Sequence, residues 1–402
     1  MTNPKHVASG KLDNDYSLQL NRWFLKPIGA WPCIVSRTTW TIFLPLQIVI
    51  SWIIVAIITV PCLLHVLFEV KDIQTRLHVI GPLLHRLIGW VNYWTLLNCS
   101  DDIRNCILHM ETDWKTMRKT EDREVMLQYA KFGRFLAIVC GLIMHGGTLL
   151  FSIVKSIKTI TVTIGNETFL THPMTCPSYS KIIDTRLSPV NEIAIVMQFT
   201  STLIVSSATV GACSLTAVFA MHACGQLNLL YSQLNKLVED QEKENYIAER
   251  RLASIVSHHL RVLSFISRVE SIIHKIALVE LVGSTIAMCL VGYYIILDLN
   301  ALNKAKLISD FIVYVSLAFN SFIFCYIGET LTEQCKRVGE IAYMTNWYKL
   351  HHKTALNLVL IIAQSNNVIK LTAGKLFQLS MTTFGDVIKT STVYLNLLRR
   401  TI

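Results

Sequence analysis

The sequence is short of charge. Asp, Glu, Lys and Arg make up only 16% of its 402 residues, whereas soluble domains carry about 25%. A string of solvated globular domains is therefore excluded, although the length would allow two or three. No CxxC pair occurs, which removes zinc-ribbon and thioredoxin-like readings of the 11 cysteines. No HExxH, P-loop or GxSxG run is present, so the chain reads as a non-enzyme that needs no cofactor. Basic residues interleaved with aromatics are also missing, so the net charge of +10 is not a nucleic-acid footprint. A secretory leader is not expected either. The first 38 residues are polar and basic, and the first apolar run is too long for a signal h-region.

Hydrophobic residues make up 52% of the chain, bunched into runs long enough to cross a bilayer as helix, which takes about 20 residues. Seven spans are expected: Thr39–Leu64, Leu77–Asn98, Phe132–Val154, Pro189–Met221, Ile276–Leu297, Ile308–Leu331 and Phe377–Leu398. The second and seventh are the least apolar. Arg86 interrupts one, and Asp386 and Lys389 the other. Such segments are normally sheltered by neighbours or line a polar path.

Seven spans put the termini on opposite sides. The loops and helix ends on the side of the N-terminus hold 25 Lys and Arg, against 10 on the other side. The positive-inside rule then places the N-terminus inside and the C-terminus outside. The sequon Asn166-Glu167-Thr168 falls in an outer loop in this orientation, making Asn166 a glycosylation candidate. Among the cysteines, Cys176 shares that loop. A disulfide there would need a partner near an outer helix end, such as Cys62. A G-protein-coupled receptor fits poorly: its N-terminus faces out, no NPxxY closes the seventh span, and Asp122-Arg123 precedes the third span instead of following it.

The fourth apolar run continues past the membrane. Leu227, Leu230, Tyr231, Leu234 and Leu237 keep one helical face, and Leu252, Ile255, Val256, His259, Leu263, Ile266, Val269 and Ile273 resume it. Spans four and five therefore project as a packed helical pair. The stripe is longer than one hairpin needs, which favours contact between subunits. His259 reads as a packed histidine. The His258–His259 and His351–His352 pairs point about 100° apart on a helix and make no metal site by spacing.

In the last span Asp386, Lys389, Thr390, Val393, Leu397 and Arg400 share one face. A mixed polar and aliphatic stripe should not meet lipid. It either lines a water path, with Leu397 as a ring that can gate by dewetting, or packs internally with Asp386 and Lys389 paired.

Leu371-Thr372-Ala373-Gly374-Lys375, Leu379-Ser380, Thr383-Phe384, Val387-Ile388-Lys389-Thr390-Ser391 and Tyr394 resemble the C-terminal signature of insect odorant receptors. Ile28-Gly29-Ala30-Trp31-Pro32 is similar to that family's early IGxWP element, and Asn346-Trp347-Tyr348 to an element of its last inner loop. The ending Leu395-Asn396-Leu397-Leu398-Arg399 looks most like the ant, bee and wasp expansions. The resemblance implies an all-α membrane protein of seven transmembrane helices in inverted topology, with cytoplasmic helical extensions forming an anchor bundle. It implies a tuning subunit of an odorant-gated, non-selective cation channel. Such a subunit assembles with a shared co-receptor as a heterotetramer in the plasma membrane of olfactory sensory dendrites. The implied organisation is a cytoplasmic segment 1–38, six helices over 39–331 with extensions at 222–275, a last inner loop and anchor helix 332–376, and a pore-lining helix with outer C-terminus 377–402. By motif position Leu397 falls at the family's hydrophobic gate. Arg400 departs from the co-receptor's neutral residue, which disfavours a homotetrameric cation pore.

Family ligands are small volatiles bound in the outer half of the bundle, and a mostly apolar cavity with a few polar groups suits them. Candidate lining residues are Ile80, Leu84, Met144, His145, Thr148, Phe151, Met197, Thr200, Ser201, Tyr293, Tyr294, Phe311 and Tyr314, with His145, beside Gly146 and Gly147, the sharpest. The alternative is a gustatory-type chemoreceptor of the same superfamily, which usually carries TY…QF in the last helix where this chain has Thr383-Phe384 and no QF. A transporter would show internal repeats and matched broken helices, and neither is apparent.

Overall fold

Long apolar runs bounded by polar residues become helices nearly throughout. The computed structural model describes residues 4–32, 39–157, 159–164, 167–237, 245–300, 304–367 and 369–401. The helices are α1 (Pro4–Leu25), α2 (Thr39–Phe68), α3 (Ile73–Asn98), α4 (Ser100–Thr116) and α5 (Thr120–Cys140). A π turn at Gly141–His145 leads into α6 (Gly146–Ile157). Then follow α7 (Val190–Asn235), α8 (Asn245–Asn300), α9 (Lys304–Met344), α10 (His352–Asn366) and α11 (Met381–Thr401). Two small antiparallel hairpins interrupt them: β1 (Ile160–Ile164) with β2 (Glu167–Thr171), and β3 (Thr372–Ala373) with β4 (Phe377–Gln378).

Among the described residues α2, the continuous α5–α6 segment, α7, α8 and α9 are long and apolar enough to cross a membrane. The expected second and seventh spans appear as α3 and α11, whose charged residues keep them below that hydropathy. They lie against α7 and α8, and against α8 and α9, respectively. α3 begins four residues before the expected Leu77, because the Asp72 carboxylate caps it by accepting the Thr75 amide at 2.8 Å.

Burial separates a spine from a rim. The most apolar window of α7 is 89% buried, that of α2 only 22%, so α7 is wrapped by protein and α2 faces outward. Ala, Gly, Ser and Thr fill α7 between Ser201 and Gly225, and small side chains let neighbouring backbones approach. Gly89 on α3 shows how close: a Cβ there would sit 2.0 Å from Val205 Cγ1 of α7.

Helices α7 and α8, at about 69 and 84 Å by their 46 and 56 residues, exceed a hydrocarbon core of about 30 Å. Their extensions pack with α4, α9 and α10. The apolar stripe read as a subunit contact is spent within the chain: Leu227, Leu230, Tyr231, Leu234, Leu252, Ile255, Leu263, Ile266, Val269 and Ile273 are all buried, as is His259. The sequence left α4 unseen as a partner of that stripe, because it lies in a segment too polar to stand out. Asp113 of α4 ties the bundle together. It accepts from Arg261 Nε at 2.8 Å, meets His222 Nε2 at 3.0 Å and has His109 Nε2 at 3.6 Å.

The last helix starts at Met381, not at Phe377. Phe377 and Gln378 pair with Ala373 and Thr372 in a hairpin turned by Gly374 and Lys375, both at positive φ. That hairpin is fixed to α8 by Gly374 N donating to His274 O at 2.6 Å and Thr372 Oγ1 donating to Glu270 Oε1 at 2.6 Å.

Candidate ligand cavity and exposed helix face

At the end of the bundle that carries the β1–β2 hairpin, α3, α6, α7, α8 and α9 enclose a cavity of about 840 Å3, mouth included. Its apolar wall is Pro82, Phe151, Ala287, Val291, Val313 and Leu317. Its polar wall is His78, His85, Arg86, Thr148, Ser152, Lys155, Thr175, Thr202, Tyr294, Lys306 and Asp310. Pro82 lacks the amide hydrogen that would bond His78 O within α3, and both residues line the space. A deeper chamber of about 590 Å3 shares His85, Thr148, Ala287, Val313 and Leu317 with the first and adds Ile88, Met144, Ser206, Thr209, Glu280 and Asn320.

The polar groups are held rather than loose. Arg86, 3% exposed, donates to Cys176 Sγ at 3.1 Å, Ser201 Oγ at 2.6 Å, Thr202 Oγ1 at 2.9 Å and Gln198 O at 3.4 Å. Glu280 on the floor accepts from the side-chain amides of Asn92 and Asn320, and Asn92 also donates to Thr209 at 3.1 Å. Ser284 and Ser321 meet beside it at 2.7 Å. Lys306 bonds Asp298 at 2.8 Å near the mouth.

Of the candidates read from the sequence, Met144, Thr148, Phe151 and Tyr294 line these two chambers. The others lie outside that lining. His145, at the end of the π turn, is not in the lining itself but bonds Ser206 of the deeper chamber at 2.8 Å, with its ring 5.7 Å from Phe24. Ser201 lies behind the wall as an acceptor for Arg86. Ile80 and Met197 pack in the Cys62–Cys176 cluster, and Tyr293 and Tyr314 pack in the core. Phe311 is 59% exposed on the outer surface. Leu84 is half-buried, and Thr200 bonds its own helix at Val196 O. Cys62 and Cys176 share one apolar cluster as free thiols, and every described cysteine is free. Asn166 lies outside the described residues.

Sequence reasoning ranked aromatic and hydroxyl residues and passed over Arg86, Lys155, Glu280 and Asp310 as site residues. An ionisable residue inside an apolar run is itself a functional signal, and it would have found Arg86, Glu280 and Asp310; Lys155 stands one residue past the expected third span.

On α11, Val387 and Ser391 are buried against the bundle, whereas Asp386, Lys389, Thr390, Val393, Leu397 and Arg400 are exposed. Among the described residues no ion pair joins Asp386 to Lys389. The whole mixed stripe therefore faces away from its own subunit.

A family model described as 7tm Odorant receptor matches residues 70–392. Odorant receptor 13a of Drosophila melanogaster is 28% identical over 215 residues, covering 47% of this chain and 50% of that receptor. Odorant receptor 10 of Aedes albopictus is 22% identical over 158 residues, 39% of this chain and 41% of that one. The chain thus spans half the length or less of these curated relatives. Among solved structures, the insect olfactory receptor OR5 from Machilis hrabei superposes with a TM-score of 0.76 at 14% identity, covering 96% of this chain and 100% of that one. The same receptor in complex with eugenol gives 0.75 at 13%. At such identity these two likenesses show a shared fold. The family match runs from the start of α3 into α11, and by it this chain belongs to the 7tm odorant receptor family.

Proposed function

We propose that the chain is a tuning subunit of an odorant-gated, non-selective cation channel, oriented with its N-terminus in the cytoplasm. The observation that carries this reading is the pairing of a partly open cavity, whose accessible surface is mostly apolar, with an outward mixed stripe on α11. A cavity with this lining suits a small organic ligand. A helix face with carboxylate, ammonium, hydroxyl and aliphatic groups suits a water path formed with other subunits. The two are mechanically linked, since α11 packs on α8 and α9, which form two of the cavity walls. A ligand that fits the open arrangement of α8 and α9 better than the closed one shifts the population toward an open pore.

In this orientation the cavity lies in the outer half of the membrane and the Asp113 bundle in the cytoplasm. Leu397 then forms the hydrophobic constriction and Arg400 its outer rim. Four Arg400 side chains around one cation path would repel the permeating ion, which supports assembly with a co-receptor subunit in the plasma membrane of olfactory neurons. The relative OR5 was solved with eugenol; by analogy the cavity here takes a small volatile.

The test is current recording from cells that express the chain with and without the co-receptor, under a panel of volatiles. Odour-evoked cation current in the co-expressing cells alone is expected. Responses carried by second messengers with no current would overturn the reading.

A further inference from the structure

The cavity wall carries more positive charge than an apolar volatile calls for. Arg86, Lys155 and Lys306 line it with one carboxylate, Asp310. Lys306 has a partner in Asp298 at 2.8 Å. Arg86 has none of that kind: its four bonds go to a thiol, two hydroxyls and a carbonyl, and one Nη1 hydrogen is left over. Among the described residues Lys155 forms no ion pair, and its Nζ rests over the Phe151 ring at 5.3 Å. Glu280 belongs to the deeper chamber, where both its oxygens are already engaged. Arg86 is the buried cation of the three, Lys155 being half-buried on the same wall as Asp310. A buried cation with no carboxylate partner is costly, and a ligand bearing the opposite charge removes that cost.

We propose that this cavity binds a carboxylic acid with an aliphatic tail, its carboxylate held between Lys155 and Arg86 and its tail directed into the deeper chamber. The proposal rests on the reading of the cavity as the ligand site and names the ligand's chemical class. From His78 to Ile88 the lining follows α3 for ten residues, about 15 Å. The two chambers thus follow one another along α3 and share Val313 and Leu317, so an acyl chain would run past these two toward Ile88 and Met144. Lys155 acts as the selective group, because Arg86 also serves the fold through α7.

The test measures binding of radiolabelled octanoate to the purified full-length chain, with methyl octanoate and octanol as competitors. Octanoate should bind and the ester should compete at least tenfold more weakly. Lys155→Met should weaken octanoate at least tenfold more than the ester and so remove that preference, and Lys155→Arg should keep it. Equal competition by acid and ester overturns the proposal, and so does a Lys155→Met variant that retains the preference or loses both ligands in parallel. Octanoate binding without any evoked current would sink the channel reading and leave this one standing. Currents evoked by neutral volatiles, with no octanoate binding, would do the reverse.

Discussion

At the scale of single residues, Asp113 is the most consequential group outside the cavity. Burial pushes its carboxyl upward, but the His222 hydrogen bond and the charges of His222, His109 and Arg261 outweigh that and hold it below the ordinary range. A folded-state value below the unfolded one stabilises the fold at pH above the ordinary carboxylate value and is lost as pH falls through the lowered one. The thermal midpoint of the purified protein should therefore fall on acidification below about pH 4, and the fall should be shallower in Asp113→Asn. Asp113→Ala should cost about 3 kcal/mol, since it strands a buried histidine and an arginine. Urea unfolding followed by tryptophan fluorescence reads that loss. A variant as stable as the parent would show that α4 contributes little to the bundle.

At the scale of elements, α11 depends on its root. Gly328 of α9 lies against the chain just before α11: a Cβ there would come within 2.5 Å of both Leu379 Cβ and Leu379 O. The obstacle is partly backbone and cannot rotate away, so Gly328→Ala should displace the start of α11 at a cost of about 1–3 kcal/mol. Ligand-evoked current should shift along the ligand-concentration axis, and apparent ligand affinity of the purified protein should move in the same direction, because ligand and pore share one equilibrium. The proposed pore face carries its own expectation. Leu397→Ser should raise current in the absence of ligand, because a hydroxyl ring wets where a leucine ring dries. An unchanged resting current would remove Leu397 as the gate.

The same element shows what the sequence made legible. Periodicity gave the stripe from Asp386 to Arg400, because one lipid-incompatible face repeats every three or four residues. The start of the helix was not legible. Phe377 and Gln378 extend an apolar run, and only the positive φ of Gly374 and Lys375 turns them into a strand. The cavity was half legible: Thr148 and Tyr294 line it, whereas His145, at the end of the π turn Gly141–His145, bonds Ser206, because one sequence does not say which face of a helix turns inward. Helices α1 and α4 escaped because their stability comes from partners distant in sequence, such as Asn21 donating to Ser214 at 3.1 Å.

At the scale of the whole molecule, the surface near α10 is unusually apolar. Leu356, Val359 and Leu360 on α10, with Leu376 and Phe377 beside α11, are each more than half exposed. Leu356, Val359 and Leu360 share one face of α10 at helical spacing, and an apolar face left uncovered by its own subunit is a candidate contact with another. Leu360→Glu should leave the subunit folded, with an unchanged thermal midpoint, but shift multi-angle light scattering of the co-expressed complex toward smaller species. A complex of unchanged mass would place the contact elsewhere. The deep burial of α7 has a consequence of another kind, in biosynthesis. This helix leaves the ribosome before α8 and α9, which later cover much of it. Until they arrive, Gln198, Thr209 and Thr216 must wait in lipid or beside a chaperone. Lesions in α7 should therefore show themselves as receptors retained on the secretory route rather than as receptors with altered odour preference.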